Sequence, residues 1–212
     1  MRVNRVPGPV GRASIRAIGM SERAGYVLAG GRSSRFGRNK ALADVDGRPM
    51  ALHVADRIRP VVDSIALVGP AITYQDLGLR VIEDSLDGFG PVAGILAAVE
   101  DSAAPWILVV ACDLPNIRPQ FLEMLFRRAE SSSVDAVIPL AADGREQPLC
   151  AVYNKSMAGQ LRQAVKSGVA KVTAAIGGAD LAYLLPPEYA VLDPSGEMLL
   201  NVNRPDDLLR RR

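Results

Sequence analysis

The chain has 212 residues, 49% of them apolar and 23% charged, with 25 Lys plus Arg against 23 Asp plus Glu for a net charge of +2. That balance fits one globular domain with a sizeable core, and it excludes both a mainly disordered chain and the basic field of a nucleic-acid binder. No run of about 18 apolar residues offers a membrane span, and Cys112 and Cys150 are too far apart to form a metal-ligand pair. A single histidine, His53, all but excludes a zinc site of His and Cys, and any Ser-His or Cys-His chemistry has to use it. The two thiols read as free, in a reducing cytoplasm. Residues 1–24 form a basic leader, and residues 25–212 the folded domain. Arg2, Arg5, Arg12 and Arg16 stand in the leader without an acid or a continuous apolar stretch, so it does not read as a signal peptide. It is expected to stay outside the fold, and Met20 offers an alternative start.

From Gly25 onward, short apolar runs alternate with helix-like segments. Residues 26–28 read as a strand ending in Ala29-Gly30-Gly31. Pro49 opens a helix with Met50, Val54, Ile58 and Val61 near one face. Strands are expected at 64–68 and 79–82, the second running into Glu83-Asp84. A helix from Pro91 to about Asp101 leads to six apolar residues, 106–111, the pattern of a strand buried on both faces. That run stops at Cys112-Asp113. Pro119 opens another helix, with Leu122, Leu125, Phe126 and Ala129 on its inner stripe. Strands at 136–140 and 149–153 have no helix between them and imply a hairpin or excursion. A helix over 155–167, a glycine-rich stretch, an extended close at 199–203 and a short helix from Pro205 complete the chain.

This alternation predicts an α/β fold: a three-layer αβα sandwich around a mostly parallel, Rossmann-like sheet. Ligands of such sheets bind at the C-terminal ends of the strands, where Gly30-Gly31, Asp84 and Asp113 converge. Leu28-Ala29-Gly30-Gly31-Arg32-Ser33-Ser34-Arg35-Phe36-Gly37-Arg38-Asn39-Lys40 is the most informative segment. Glycines directly after a buried strand let backbone N–H groups approach a phosphate, and Arg35 and Lys40 add positive charge. It is not a Walker loop, because Ala41 follows Lys40, and Gly30, Gly31 and Gly37 do not fit the dinucleotide pattern.

This segment resembles the LAGG-x-S-x-R-M-G-x-D-K signature of molybdenum cofactor guanylyltransferases, in the nucleotidyltransferase superfamily. The resemblance runs from Gly25 to Leu208 through three further blocks: VIEDSLDGFGPVAGILAAVE, VVACDLPNI and NVNRPDDL. It implies transfer of GMP from GTP to the phosphate of molybdopterin, with Mg²⁺ as cofactor and pyrophosphate as product. By the same resemblance Asp113 is the metal ligand and, with Lys40, the catalytic pair. Leu28, Ala29, Gly30, Gly31, Lys40, Asp84 and Asp113 bind GTP; Arg35, Asn201 and Asn203 lie on the molybdopterin side. The partners it implies beyond the substrates are transient ones, molybdenum cofactor synthesis proteins or apo-molybdoenzymes, with neither nucleic acid nor membrane. The second glycine favours guanine, whereas cytidylyl relatives usually carry Ala-Ala-Gly. A cytidylyl- or sugar-phosphate nucleotidyltransferase and a catalytically idle cofactor-binding module are the alternatives. Asn39 stands where the family usually has Asp, Phe36 where it has Met, and Arg204 where it has a small residue. Gly69-Pro70 stands where some members have an Asn that contacts the nucleotide.

Overall fold

The computed structural model describes residues 22–30, 39–83, 90–204 and 207. In chain order the strands are β1 (Arg23–Leu28), β2 (Asp44–Val45), β3 (Arg48–Pro49), β4 (Ser64–Val68), β5 (Arg80–Ile82), β6 (Trp106–Ala111), β7 (Ala136–Pro139), β8 (Cys150–Asn154) and β9 (Leu181–Leu184). The α-helices are α1 (Met50–Ile58), α2 (Ala71–Tyr74), α3 (Gly90–Asp101), α4 (Pro119–Glu130), α5 (Ala158–Lys166), α6 (Val172–Ala175) and α7 (Pro186–Tyr189).

Seven strands form one sheet in the order β5-β4-β1-β6-β8-β7-β9, and β2 pairs with β3 in a separate ribbon. β1 and β6, every residue of which is buried, lie side by side and parallel at the centre. β4 and β5 extend the parallel half. β8 is antiparallel to both β6 and β7, and β7 is parallel to β9, so β8 alone among the seven runs the other way. The stretch between β7 and β8 is the expected excursion, closed by a bridge between Leu140 and Glu146.

Helices cover both faces, which gives the three layers. Beneath one face lie Val54 and Ile58 of α1, Tyr74 of α2, and Phe121, Leu122, Leu125 and Phe126 of α4. Beneath the other lie Val92, Ile95 and Val99 of α3, Leu161 and Val165 of α5, and Val172 of α6. The buried stripe of α1, Met50-Ala51-Val54-Ala55-Ile58, repeats at helical spacing and so faces one side. α1 also comes very near β1. A Cβ on Gly25 would stand 2.6 Å from Ile58 Cγ2, a distance that only a glycine accommodates.

Four features differ from the sequence expectations. β1 starts at Arg23, so Arg23 and Ala24 belong to the domain and not to the leader. Arg23 is drawn in because its guanidinium bonds Glu123 and Glu130 while its backbone N–H donates to Asp63 Oδ2. β9, the β2–β3 ribbon and the short helices α2, α6 and α7 were not foreseen, because segments of two to four residues carry too little periodicity to register. Residues 199–203 form no strand; they are held instead by Val202 N–H donating to the Asp113 carbonyl at 2.9 Å. α3 begins at Gly90, one residue early. Residues 1–21, and all but Asp207 of the helix expected from Pro205, lie outside the described residues.

Candidate active site

The site begins where β1 and β6 stop together. Leu28 pairs with Ala111, and the Leu28 carbonyl accepts the Cys112 N–H at 3.0 Å. Asp113 therefore emerges beside Ala29 and Gly30, at the edge the topology nominates for a ligand. Ala29 N–H donates to the Val68 carbonyl at the end of β4, which fixes the turn out of β1.

Lys40 reaches the same place from another element. It opens a single 3₁₀ turn, Lys40–Leu42, whose Ala41 is buried in the core. Behind it the β2–β3 ribbon turns through Asp46 and Gly47, both with positive φ, so the glycine fits the second corner. Met50 N–H donates back to the Ala43 carbonyl at 2.8 Å, and Ala43, Val45, Met50 and Val202 form a small apolar cluster. That cluster seats both the Lys40 turn and the C-terminal segment.

The charges meet within this frame. Lys40 Nζ lies 2.8 Å from Asp113 Oδ2 and donates to Asn203 Oδ1 at 3.0 Å. Asn201 Nδ2 donates to the same Asp113 Oδ2 at 3.1 Å. Asn201 and Asn203 flank the anchored Val202, so their amides approach the Lys40–Asp113 pair together. The backbone N–H groups of Asn203 and Arg204 both donate to Asp207 Oδ2 at 2.8 Å, which holds the end of this segment. Both charged side chains are mostly sequestered, 13% exposed for Lys40 and 17% for Asp113. The other carboxylate oxygen, Asp113 Oδ1, is buried without a hydrogen-bond partner. A buried carboxylate oxygen of this kind could serve as a ligand to a hard cation. Among the described residues no three His, Cys, Asp or Glu side chains converge to hold a metal, and Asp113 is the carboxylate there that could serve a cation.

Cys112, next to Asp113, is not a nucleophile. Burial, and then the neighbouring Asp113 charge, push its thiol up to about 12, against a smaller opposing effect of Lys40. The thiol is neutral at physiological pH, and both cysteines are free and buried.

Lys40, Asp113, Asn201 and Asn203 are thus in direct contact, with Leu28, Ala29 and Gly30 at the adjoining strand end. Gly31, Arg35 and Asp84 lie outside the described residues. Two features of the site were not foreseen. One is that the asparagine amides are spent on Lys40 and Asp113. The other is Tyr74, which donates to the Ala29 carbonyl at 2.6 Å. No motif marks Tyr74, because its importance arises only when α2 folds against the end of β1.

A mostly parallel sheet with Gly30, Lys40 and Asp113 at the C-terminal edge of its central strands is the arrangement of an α/β nucleotidyltransferase. Residues 25–179 match the MobA-like NTP transferase domain, and the chain belongs to that family. It is 32% identical over 194 residues to a probable molybdenum cofactor guanylyltransferase of Halalkalibacterium halodurans, covering 88% of this chain and 96% of that one. A protein of the same description from Thermococcus kodakarensis is 35% identical over 193 residues, covering 88% of this chain and 92% of the relative. Among solved structures, the molybdopterin-guanine dinucleotide biosynthesis protein A of Archaeoglobus fulgidus superposes with a TM-score of 0.77 at 28% identity, covering 88% of this chain and 95% of that one.

Proposed function

We infer that the chain transfers GMP from GTP to the phosphate of molybdopterin, releasing pyrophosphate and making the guanine dinucleotide form of the molybdenum cofactor. The observation that carries this reading is the Lys40–Asp113 contact of 2.8 Å at the joint end of β1 and β6. Relatives named for this activity, matched over nearly their whole length, support the choice of substrates.

The residues suit that chemistry. The attacking group is a phosphate monoester, already largely ionised at neutral pH, so the reaction needs no general base. One of its oxygens forms a bond to the α-phosphorus of GTP, and the bond from that phosphorus to the bridging oxygen of the β-phosphate breaks. What the protein must do is bring anions together and hold the attacking oxygen in line. Lys40, held ready by Asp113 and Asn203, is the cation for the GTP phosphates. Asp113 is the residue that would hold Mg²⁺, and its unpartnered Oδ1 fits that role. Mg²⁺ bound there supplies neutralisation of phosphate charge. Leu28, Ala29 and Gly30 offer backbone to the nucleotide, and Gly31, Asp84 and Arg35 join them by the family pattern. Asn201 and Asn203 carry amides that can exchange their present partners for a pterin edge, which presents donors and acceptors together. Among the described residues no helix is long and apolar enough to cross a membrane.

The test is label transfer from α-phosphate-labelled GTP or CTP, with molybdopterin and Mg²⁺ supplied. Label from GTP should enter a dinucleotide product. Transfer from CTP alone would make the chain a cytidylyl enzyme. Retained nucleotide binding without transfer from either would make it a binding module.

A further inference from the structure

Tyr74 ends α2 with its side chain buried in the core. Its phenol oxygen lies 2.6 Å from the Ala29 carbonyl, 3.1 Å from Asn39 Nδ2 and 3.3 Å from Asn39 Oδ1. A phenol has one proton to give. The shortest of these contacts, to a carbonyl that can only accept, takes it. Asn39 must therefore be the donor toward Tyr74, through its NH₂ group. Its Oδ1 is then left to accept the Ala41 N–H at 3.1 Å, the cap of the turn that carries Lys40. The amide of Asn39 is used at both ends.

A carboxylate at position 39 could cap Ala41 equally well, but it has no hydrogen for the phenol. It would compete with the Ala29 carbonyl for the single proton. Gly69 belongs to the same arrangement. A Cβ there would stand 2.8 Å from Tyr74 Cε2 and 3.2 Å from Gly30 N, so any other residue would push the ring off the Ala29 carbonyl. Asn39 and Gly69, two departures from the family pattern, thus meet on one side chain.

We propose that Tyr74 is a positioning residue for nucleotidyl transfer. Through Asn39 it sets the turn that aims Lys40 at Asp113, and through the Ala29 carbonyl it sets the end of β1, with Gly69 providing the space for its ring. The proposal rests on the reading of Lys40 given above.

The experiment measures kcat, KM for GTP and the thermal midpoint for Tyr74→Phe, Asn39→Asp, the double variant and Lys40→Ala, all in the full chain. Loss of one such hydrogen bond should lower kcat/KM by up to about tenfold in each single variant. The double variant should fall no further than the worse single one, because without the phenol there is no proton to compete for. Asn39 is exposed, so Asn39→Asp tests the proposal even if Tyr74→Phe unfolds the protein. Wild-type kinetics in Asn39→Asp, or losses that simply multiply in the double variant, overturn the proposal. If Lys40→Ala abolishes transfer while Tyr74→Phe behaves as wild type, the proposal alone fails. If Lys40→Ala is fully active, the reading of the site fails and the proposal with it.

Discussion

Replacing Arg23 by Met should cost the domain about 2–4 kcal/mol at neutral pH, somewhat below the range for breaking a fully buried ion pair. The side chain of Arg23 is 1% exposed and lies between two glutamates of α4. Its Nε and Nη2 each lie 2.7 Å from a Glu130 oxygen, a bidentate grip, and Nη1 lies 2.6 Å from Glu123 Oε2. The guanidinium carbon also sits 4.5 Å from the centre of the Phe126 ring. Met fills much of that volume but leaves two carboxylates without their shared cation. Those carboxylates are 26% and 23% exposed, so water relieves part of the penalty, and Arg127 remains beside Glu123 at 3.1 Å. In a domain of this size the loss corresponds to a midpoint about 5–15 °C lower. Burial raises the Glu123 carboxyl, but its bonds to Arg23 and Arg127 together outweigh that and leave it below the usual range. Its contribution is therefore present above the unfolded glutamate value of about 4.3 and is lost as pH falls through the lower folded value. The gap between wild type and variant should close on acidification. Chemical denaturation from neutral pH to about pH 3 measures this directly. A variant as stable as wild type at neutral pH, or a gap that does not change with pH, would refute the argument.

Asp113→Asn should abolish metal-dependent transfer and leave the thermal midpoint within a few degrees, since an amide can still accept from Lys40 and Asn201; near-wild-type turnover at limiting Mg²⁺ would remove Asp113 from the chemistry. Gly31→Ala should lower the GTP-to-CTP ratio of kcat/KM about tenfold, the scale of a misplaced methyl group beside a base, whereas Lys40→Ala should lower both rates alike; equal loss for the two nucleotides in Gly31→Ala would leave guanine selectivity without that residue. Tyr26→Phe should destabilise the fold by about 1.5–3 kcal/mol, as expected for a buried hydrogen bond to a charged group. Burial, and then the 2.6 Å bond to Asp101, raise the Tyr26 phenol to about 12, so its contribution is present below the unfolded value and lost as pH rises through the folded one. A stability difference unchanged between about pH 9 and about pH 12, a range spanning the ordinary tyrosine value, would contradict that assignment.

What the sequence made legible follows from how far each signal reaches along the chain. The run 106–111 is apolar at every position because β6 is buried on both faces, so its end, and with it Asp113, could be placed without coordinates. The short β9 offered no such signal, since Leu181, Ala182 and Tyr183 are only half-buried and four residues cannot establish a period. The resemblance groups Asn201 with Asn203, but does not say which partners their amides meet. That is decided by the Val202 N–H bond to the Asp113 carbonyl and by Val202 packing on Met50, contacts between segments far apart in the chain. Tyr74 carries the same lesson further. It is an ordinary tyrosine in a four-residue helix until folding brings its one phenol proton to the Ala29 carbonyl. Position 39 then has to be a donor and position 69 has to lack a side chain. Asn39 and Gly69, two residues that depart from the family pattern, became intelligible only when the Tyr74 side chain they share was in view.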